Sequence, residues 1–160
     1  MKVIFICTKS ITFNTFLKSQ ANYFVKKGFE IIVACSDPKN LECKENIKYQ
    51  IDFPKTTIQF FNIFQYIKIY FQILKLTKKN NSSLFYLHTP LASHLFRIFT
   101  FFKRFKIVYF VHGFRFTSRT SVFKSLIFKL IEKILSLKKD FFITVNSEDY
   151  SYVINYINES

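Results

Sequence analysis

The chain is predicted to be α/β, a doubly wound parallel sheet flanked by helices. Apolar runs at 2–7, 30–35, 84–88 and 107–112 lack polar alternation, as strands buried on both faces do. Strand-like and helix-like stretches alternate about six times, the pattern of a layered α/β domain with right-handed crossovers. Two runs also break off at a histidine followed by turn chemistry: Leu84-Phe85-Tyr86-Leu87-His88-Thr89-Pro90 and Ile107-Val108-Tyr109-Phe110-Val111-His112-Gly113-Phe114. Ligands of open α/β sheets bind beyond the carboxyl ends of the strands. Both histidines fall there.

The elements follow in order. Residues 2–7 form a compact strand. Residues 12–27 carry Phe16, Leu17, Ala21, Phe24 and Val25 at helical spacing, with Gly28 placed to cap the helix. A second strand covers 30–35 and stops at Ser36-Asp37-Pro38; a short one covers 48–53 and stops at Pro54. Residues 60–76 repeat Phe60, Phe61, Phe64, Ile67, Phe71 and Leu74 in threes and fours, a helix expected to pack on the sheet and to end at Lys78-Lys79-Asn80-Asn81. After the strand 84–88, Pro90 opens a helix to about 102, since proline suits the first helical position. The strand 107–112 precedes an amphipathic helix at 122–137, with Phe123, Leu126, Ile127, Leu130, Ile131, Ile134 and Leu135 on one face. A last strand covers 141–145, and Asn146-Ser147 caps a final helix to 157.

A length of 160 residues is expected to be one domain, 1–160, burying roughly 70% of its extended surface. The formal charge is +14, from 24 Lys and Arg against 10 Asp and Glu. Such an excess favours an anionic partner. A solvated lysine-rich surface accounts for much of it. An acidic membrane surface or a lipid phosphate ranks next, and nucleic acid last, because no nucleic-acid-binding motif accompanies the charge. Cys7, Cys35 and Cys43 lack metal-ligand spacing and read as reduced thiols of a cytosolic protein. No signal peptide or spanning helix is expected; the apolar stretch 95–111 is cut by Arg97 and by Lys103-Arg104-Phe105-Lys106.

Two nucleotide motifs are absent. The turn Cys7-Thr8-Lys9-Ser10-Ile11-Thr12 lacks G-x-G-x-x-G, and no G-x-x-x-x-G-K-[ST] occurs. Thr8, Lys9 and Ser10 still offer hydroxyls, backbone N–H groups and a cation at a helix start, an anion contact or a plain polar turn. His112 is the stronger of the two strand-end histidines, because Gly113 lets the backbone turn sharply near a ligand and Phe114-Arg115-Phe116 sets a cation between aromatic rings. His88, before Thr89-Pro90, reads equally as a structural hydrogen-bonding group. His94 falls within a helix. Asn146, Ser147, Glu148 and Asp149 end the last strand, and capping with acids in the first turn accounts for them.

With these residues placed, the chain resembles the N-terminal half of the family 4 glycosyltransferases, retaining enzymes of the GT-B fold, in the branch serving bacterial capsule, O-antigen and exopolysaccharide. The likeness runs in order through Val3-Ile4-Phe5-Ile6-Cys7-Thr8, Phe24-Val25-Lys26-Lys27-Gly28-Phe29-Glu30, Leu87-His88-Thr89-Pro90-Leu91-Ala92-Ser93, Val111-His112-Gly113-Phe114-Arg115-Phe116, Ile131-Glu132-Lys133-Ile134-Leu135-Ser136 and Ile143-Thr144-Val145-Asn146-Ser147-Glu148-Asp149-Tyr150. The resemblance implies a Rossmann-like domain that holds the acceptor, faced by a second that holds the sugar nucleotide, and a transfer without a metal cofactor. It puts His112 beside the donor sugar as the catalytic residue. It puts Thr8, Lys9, Ser10, His88, Thr89, Gly113, Phe114, Arg115, Asn146 and Glu148 in substrate binding.

The nucleotide-sugar domain is absent from these 160 residues, and both walls of a cleft are needed to bind a transition state. The chain alone is therefore expected to be inactive, paired with a separately encoded C-terminal half or a truncated remnant. The implied acceptor is a lipid-linked glycan, and the expected location is cytoplasmic, with peripheral attachment to the inner face of the cell membrane. A non-catalytic module for membranes or lipid phosphates is the competing reading.

Overall fold

The computed structural model describes residues 1–43, 47–54, 62–114, 122–138 and 140–157. Six strands, β1 (Lys2–Ile6), β2 (Glu30–Cys35), β3 (Ile47–Gln50), β4 (Leu84–Leu87), β5 (Lys106–Val111) and β6 (Phe141–Thr144), form one sheet in the order β3-β2-β1-β4-β5-β6. Every pairing is parallel. The unalternated runs are explained by the side chains they send both ways. Val3, Phe5 and Cys7 join one core with Ile31, Val33 and Tyr86, while Ile4 and Ile6 join another with Ile32, Phe85 and Leu87.

On the first face lies a helix built of α1 (Ser10–Thr12), a π-type turn Phe13–Leu17 and α2 (Lys18–Lys26). It starts two residues earlier than expected because a distant residue caps it: the Asp37 carboxylate accepts from the Ser10 N–H at 2.7 Å and from its hydroxyl at 2.8 Å. Although partial burial works the other way, these bonds hold the Asp37 carboxyl below its usual pKa. The far end follows the glycine expectation. Gly28, at φ 82°, donates to the Val25 carbonyl while Phe29 N–H reaches Phe24, the Schellman pattern.

The second face carries α3 (Ile63–Lys79), α4 (Pro90–Phe99) and α5 (Val122–Ser136), with α6 (Ser147–Tyr152) and a π-type turn Val153–Ile157 behind the last strand. Other boundaries also differ from expectation. β3 ends at Gln50, and α4 ends at Phe99. The Thr100 carbonyl is taken by Lys103 N–H and Lys138 Nζ, which turns the chain. Of the expected helix 60–76, Phe60 and Phe61 lie outside the described residues, and the helix ends at Lys79, within the expected Lys78-Lys79-Asn80-Asn81 stop.

Which helix faces are buried is a larger correction. In α3 the core takes Ile69, Ile73 and Leu76, while Phe64, Ile67 and Phe71 face outward, Phe64 at 80% exposure. In α5 the apolar set expected on one face is divided: Phe123, Leu126, Ile127, Leu130 and Ile134 are exposed, while Ile131 and Leu135 turn inward. The inner side of α5 instead brings Glu132 to a buried cation. Arg97 is fully buried, donating to Glu132 at 2.7 Å and to Asp140 at 2.9 Å. Glu132 also meets His94 Nε2 at 2.7 Å and the Tyr109 hydroxyl at 3.4 Å.

The two carboxylates differ. Burial raises the pKa of both, but His94 and Arg97 bring Glu132 below its usual value, whereas Arg97 and Lys138 do not offset burial and the neighbouring Glu132 charge at Asp140, which stays above it. An unpaired buried charge is costly. Arg97→Met is therefore expected to lower stability by about 3–5 kcal/mol, read from the denaturant midpoint. A loss below roughly 1 kcal/mol would place the network at a solvated surface.

Candidate functional site

Between β2 and β4 the chain crosses from one side of β1 to the other, so the carboxyl ends of β1 and β4 diverge at the point where the winding reverses. Backbone bonds pin this point. His88 N–H donates to the Ile6 carbonyl at 2.7 Å, Thr8 N–H donates to Thr89 Oγ1 at 3.1 Å, and the Ser36 hydroxyl donates to the Thr8 carbonyl at 2.7 Å. Thr89 sits at φ 66°, strained for a residue other than glycine, and its carbonyl accepts from the Ser93 N–H and hydroxyl. Strain held by that many bonds is a frequent mark of a working site.

The two histidines lie on the α1–α2 side of the sheet, continuing the alternation Leu84, Tyr86, His88 and Val108, Phe110, His112. His88 is fully buried, stacked on Phe5 at 5.7 Å and on Phe110 at 5.4 Å. Its Nδ1 meets His112 Nε2 at 3.2 Å, and its Nε2 is buried without a hydrogen-bond partner among the described residues. His112 is exposed above it, with the Phe16 ring 6.3 Å away. Burial and the neighbouring imidazole push the His88 pKa down to about 3, and burial also lowers that of His112. Both rings are neutral at pH 7.

Beside them, the ends of β5 and β6 enclose a cleft of about 200 Å³ lined by Gly113, Phe114, Lys129, Asn146, Glu148, Asp149 and Tyr152. Gly113 holds φ 135°, a conformation suited to glycine. Asp149 joins the two strand ends: it accepts from Phe114 N–H at 3.2 Å and from the Asn146 amide at 2.6 Å, while its own N–H donates to Asn146 Oδ1 at 2.7 Å.

The structure thus sorts the expected site residues. Thr8 and Thr89 are hydrogen-bonded at the switch point with Lys9 following in the chain, His112 stands over His88 at the next strand end, and Gly113, Phe114, Asn146 and Glu148 line the adjoining cleft. His88 does not reach solvent, so the expectation that it contacts substrate is corrected: it supports His112 from below. The Ser10 hydroxyl is likewise occupied by Asp37. Arg115 lies outside the described residues. Two residues were missed. Asp149, 7% exposed, looked like a helix-start acid, although its place three residues after Asn146 is a capping-box position. Phe16 read only as part of the apolar helical spacing of 12–27; it stands 63% exposed in the π-type turn, on the groove side.

The buried imidazole has a consequence for pH. Unfolded His88 would titrate near its ordinary value, about 6.5, while the folded ring resists protonation until about 3. Below about 6.5 the unfolded chain binds a proton that the folded chain does not, so stability falls as the pH drops. Thermal unfolding is expected to show a decline in Tm between about pH 6.5 and 4.5 that His88→Phe flattens. An unchanged slope in that variant would assign the titration elsewhere.

Comparison with known proteins agrees with this architecture. The profile of the family described as "Glycosyl transferase 4-like" matches residues 2–147. A protein of Bacillus subtilis (strain 168) named "Putative glycosyltransferase EpsD" is 27% identical over 152 residues, covering 93% of this chain and 39% of that protein. The chain thus spans about two fifths of the length of this curated relative. A solved Listeria monocytogenes protein described as a "putative UDP-N-acetylglucosamine 2-epimerase" superposes with a TM-score of 0.64 at 12% identity, over 96% of this chain and 41% of that one, a likeness of fold alone. With nearly its whole described length matched, the chain belongs to the glycosyl transferase 4-like family.

Proposed function

We propose that this chain is the acceptor-side domain of a retaining glycosyltransferase that moves a hexose or N-acetylhexosamine from a sugar nucleotide to a lipid-linked glycan in surface-polysaccharide synthesis. The observation that carries the reading is His112, exposed at the switch point and seated on a fully buried His88. An unpaired buried N–H is costly. His88 therefore keeps its proton on Nδ1 and donates it to His112 Nε2, leaving the orphaned Nε2 as a bare acceptor. The His112 proton then sits on Nδ1, where it donates to a sugar hydroxyl or to oxygen charge that grows during transfer. The neutral state of both rings preserves this arrangement at pH 7.

Around that donor, Lys9 stands exposed at the start of α1, where its cation can meet a phosphate-bearing ligand, the helix N-terminus itself being taken by Asp37. Phe16 offers an apolar wall to a sugar ring. Asn146 and Glu148 supply polar groups to the cleft, and Asp149 fixes the backbone of Phe114 at its edge. The transfer proceeds in this reading without a metal cofactor. A second domain, carrying the sugar nucleotide, supplies the opposing wall.

The test combines the chain with a candidate C-terminal half, a sugar nucleotide and an undecaprenyl-diphosphate-linked acceptor. Product is expected. His112→Ala should lower turnover about 10²–10³-fold with little change in Tm, the loss typical of one transition-state donor. Turnover undiminished in that variant would remove His112 from the mechanism.

A further inference from the structure

We propose that the cleft at the ends of β5 and β6 continues into an aromatic track along α6 that binds the inner sugars of an uncharged oligosaccharide. The inference rests on the transfer reading and narrows its acceptor to a chain of two or more hexose or N-acetylhexosamine units, with the end unit at His112. The track begins at a buried ring. Phe114, 5% exposed, meets Tyr152 edge-on, with ring centroids 5.2 Å apart at 63°. Tyr152 lines the cleft and stacks in turn on Tyr156, 5.1 Å away and 25° from parallel. Tyr156 stands 61% exposed. The three rings thus lead from the cleft wall to the outer surface of the domain.

The backbone accounts for their alignment. Tyr156 lies in the π-type turn Val153–Ile157, whose i→i+5 bonding makes a wider turn than an α-helix. In the wider turn a residue four positions on falls more nearly above the first, which sets Tyr156 on Tyr152. Val153 and Ile157 anchor the turn in the core, so Tyr156 is held toward solvent. Turns of this kind are frequent at functional sites. A second one, Phe13–Leu17, likewise presents Phe16 beside His112.

The chemistry of the lining selects the occupant. A sugar offers apolar C–H faces to aromatic rings and hydroxyls that both donate and accept. The cleft supplies both kinds of partner: Asn146 and Lys129 donate, and the exposed Glu148 carboxylate accepts. Lys129 Nζ lies over the Tyr152 ring at 5.9 Å, which joins the polar part of the cleft to the track. Burial, with Glu132 and Tyr156 nearby, raises the Tyr152 pKa to about 12, so its hydroxyl stays a donor at neutral pH. Among the described lining residues the carboxylates of Glu148 and Asp149 stand against one ammonium. That balance disfavours a phosphate or a uronate, whose charge would meet like charge, and leaves uncharged sugars as the fitting class.

The test is nuclear magnetic resonance of the labelled chain titrated with glucose, galactose and N-acetylglucosamine, each as mono-, di- and trisaccharide, and with uridine diphosphate. For at least one sugar the longer forms are expected to bind about tenfold tighter than the monosaccharide, as burial of one further apolar ring face allows. The Tyr152 and Tyr156 ring signals should shift with them. Tyr156→Ala should remove that gain while leaving monosaccharide affinity and Tm unchanged, and Tyr156→Phe, which keeps the ring, should retain it. Affinity independent of length for every sugar, an undiminished gain in Tyr156→Ala, or movement of both tyrosine rings by uridine diphosphate would overturn the track. Where sugars still shift Thr8, Lys9 and the His112 ring, the transfer reading survives that outcome; a chain whose signals answer to no sugar loses both.

Discussion

The parallel contact between β1 and β4 is the constraint on which the rest of this molecule depends. Val3 to Ile6 pair in register with Leu84 to Leu87, although some eighty residues separate them. The intervening chain builds β2, β3 and α3 on one side of β1, and the chain after β4 builds β5 and β6 on the other. Strands wound away in both directions leave a gap between the loops above β1 and β4. Thr8, Thr89 and Ser36 span that gap with hydrogen bonds instead of filling it with side chains. A crevice is thus a product of topology, and chemistry enters through whatever the strand ends present there.

At this crevice the strand ends present one imidazole in the wall and one on the surface. Burying His88 between Phe5 and Phe110 makes protonation expensive, so its neighbour rests on a neutral group that cannot repel a cation or attract an anion. The support is directional, because a single hydrogen bond between the rings settles which nitrogen of His112 faces outward. On the opposite side of the sheet the polar interior obeys a different rule. There Arg97 is ion-paired with both Glu132 and Asp140, holding α4, α5 and the start of β6 in fixed relation. That arrangement positions β6, and through it Asn146 and Asp149, against the end of β5.

Much of this was legible in the sequence because it rests on local signals. The unalternated runs marked β1, β2, β4 and β5, Gly28 marked the end of α2, and the two histidines marked strand ends that topology brings together. Distant partners hid the rest. The start of α1 is set by Asp37, far along the chain, and the end of α4 by Lys138. Apolar periodicity failed in α3 and α5 because each helix has two apolar sectors, and spacing alone does not say which one the core takes. In α5 the inner sector includes Glu132, a polar residue that reads as surface until Arg97 is placed beside it. Burial of His88 was equally invisible, since a strand-end position fixes height above the sheet but not the cover supplied by neighbouring rings.

The central claim is that the carboxyl rim around His112 is where this domain meets its glycan substrate. Nuclear magnetic resonance of the labelled chain during titration with a glycosyl diphosphate tests it most directly. Shifts should gather on the amides of Thr8, Lys9 and Gly113 and on the His112 ring, with the His88 ring signal moving too through the shared hydrogen bond. Shifts concentrated at the opposite rim, on Lys2, Glu30 and Lys106, would contradict the account.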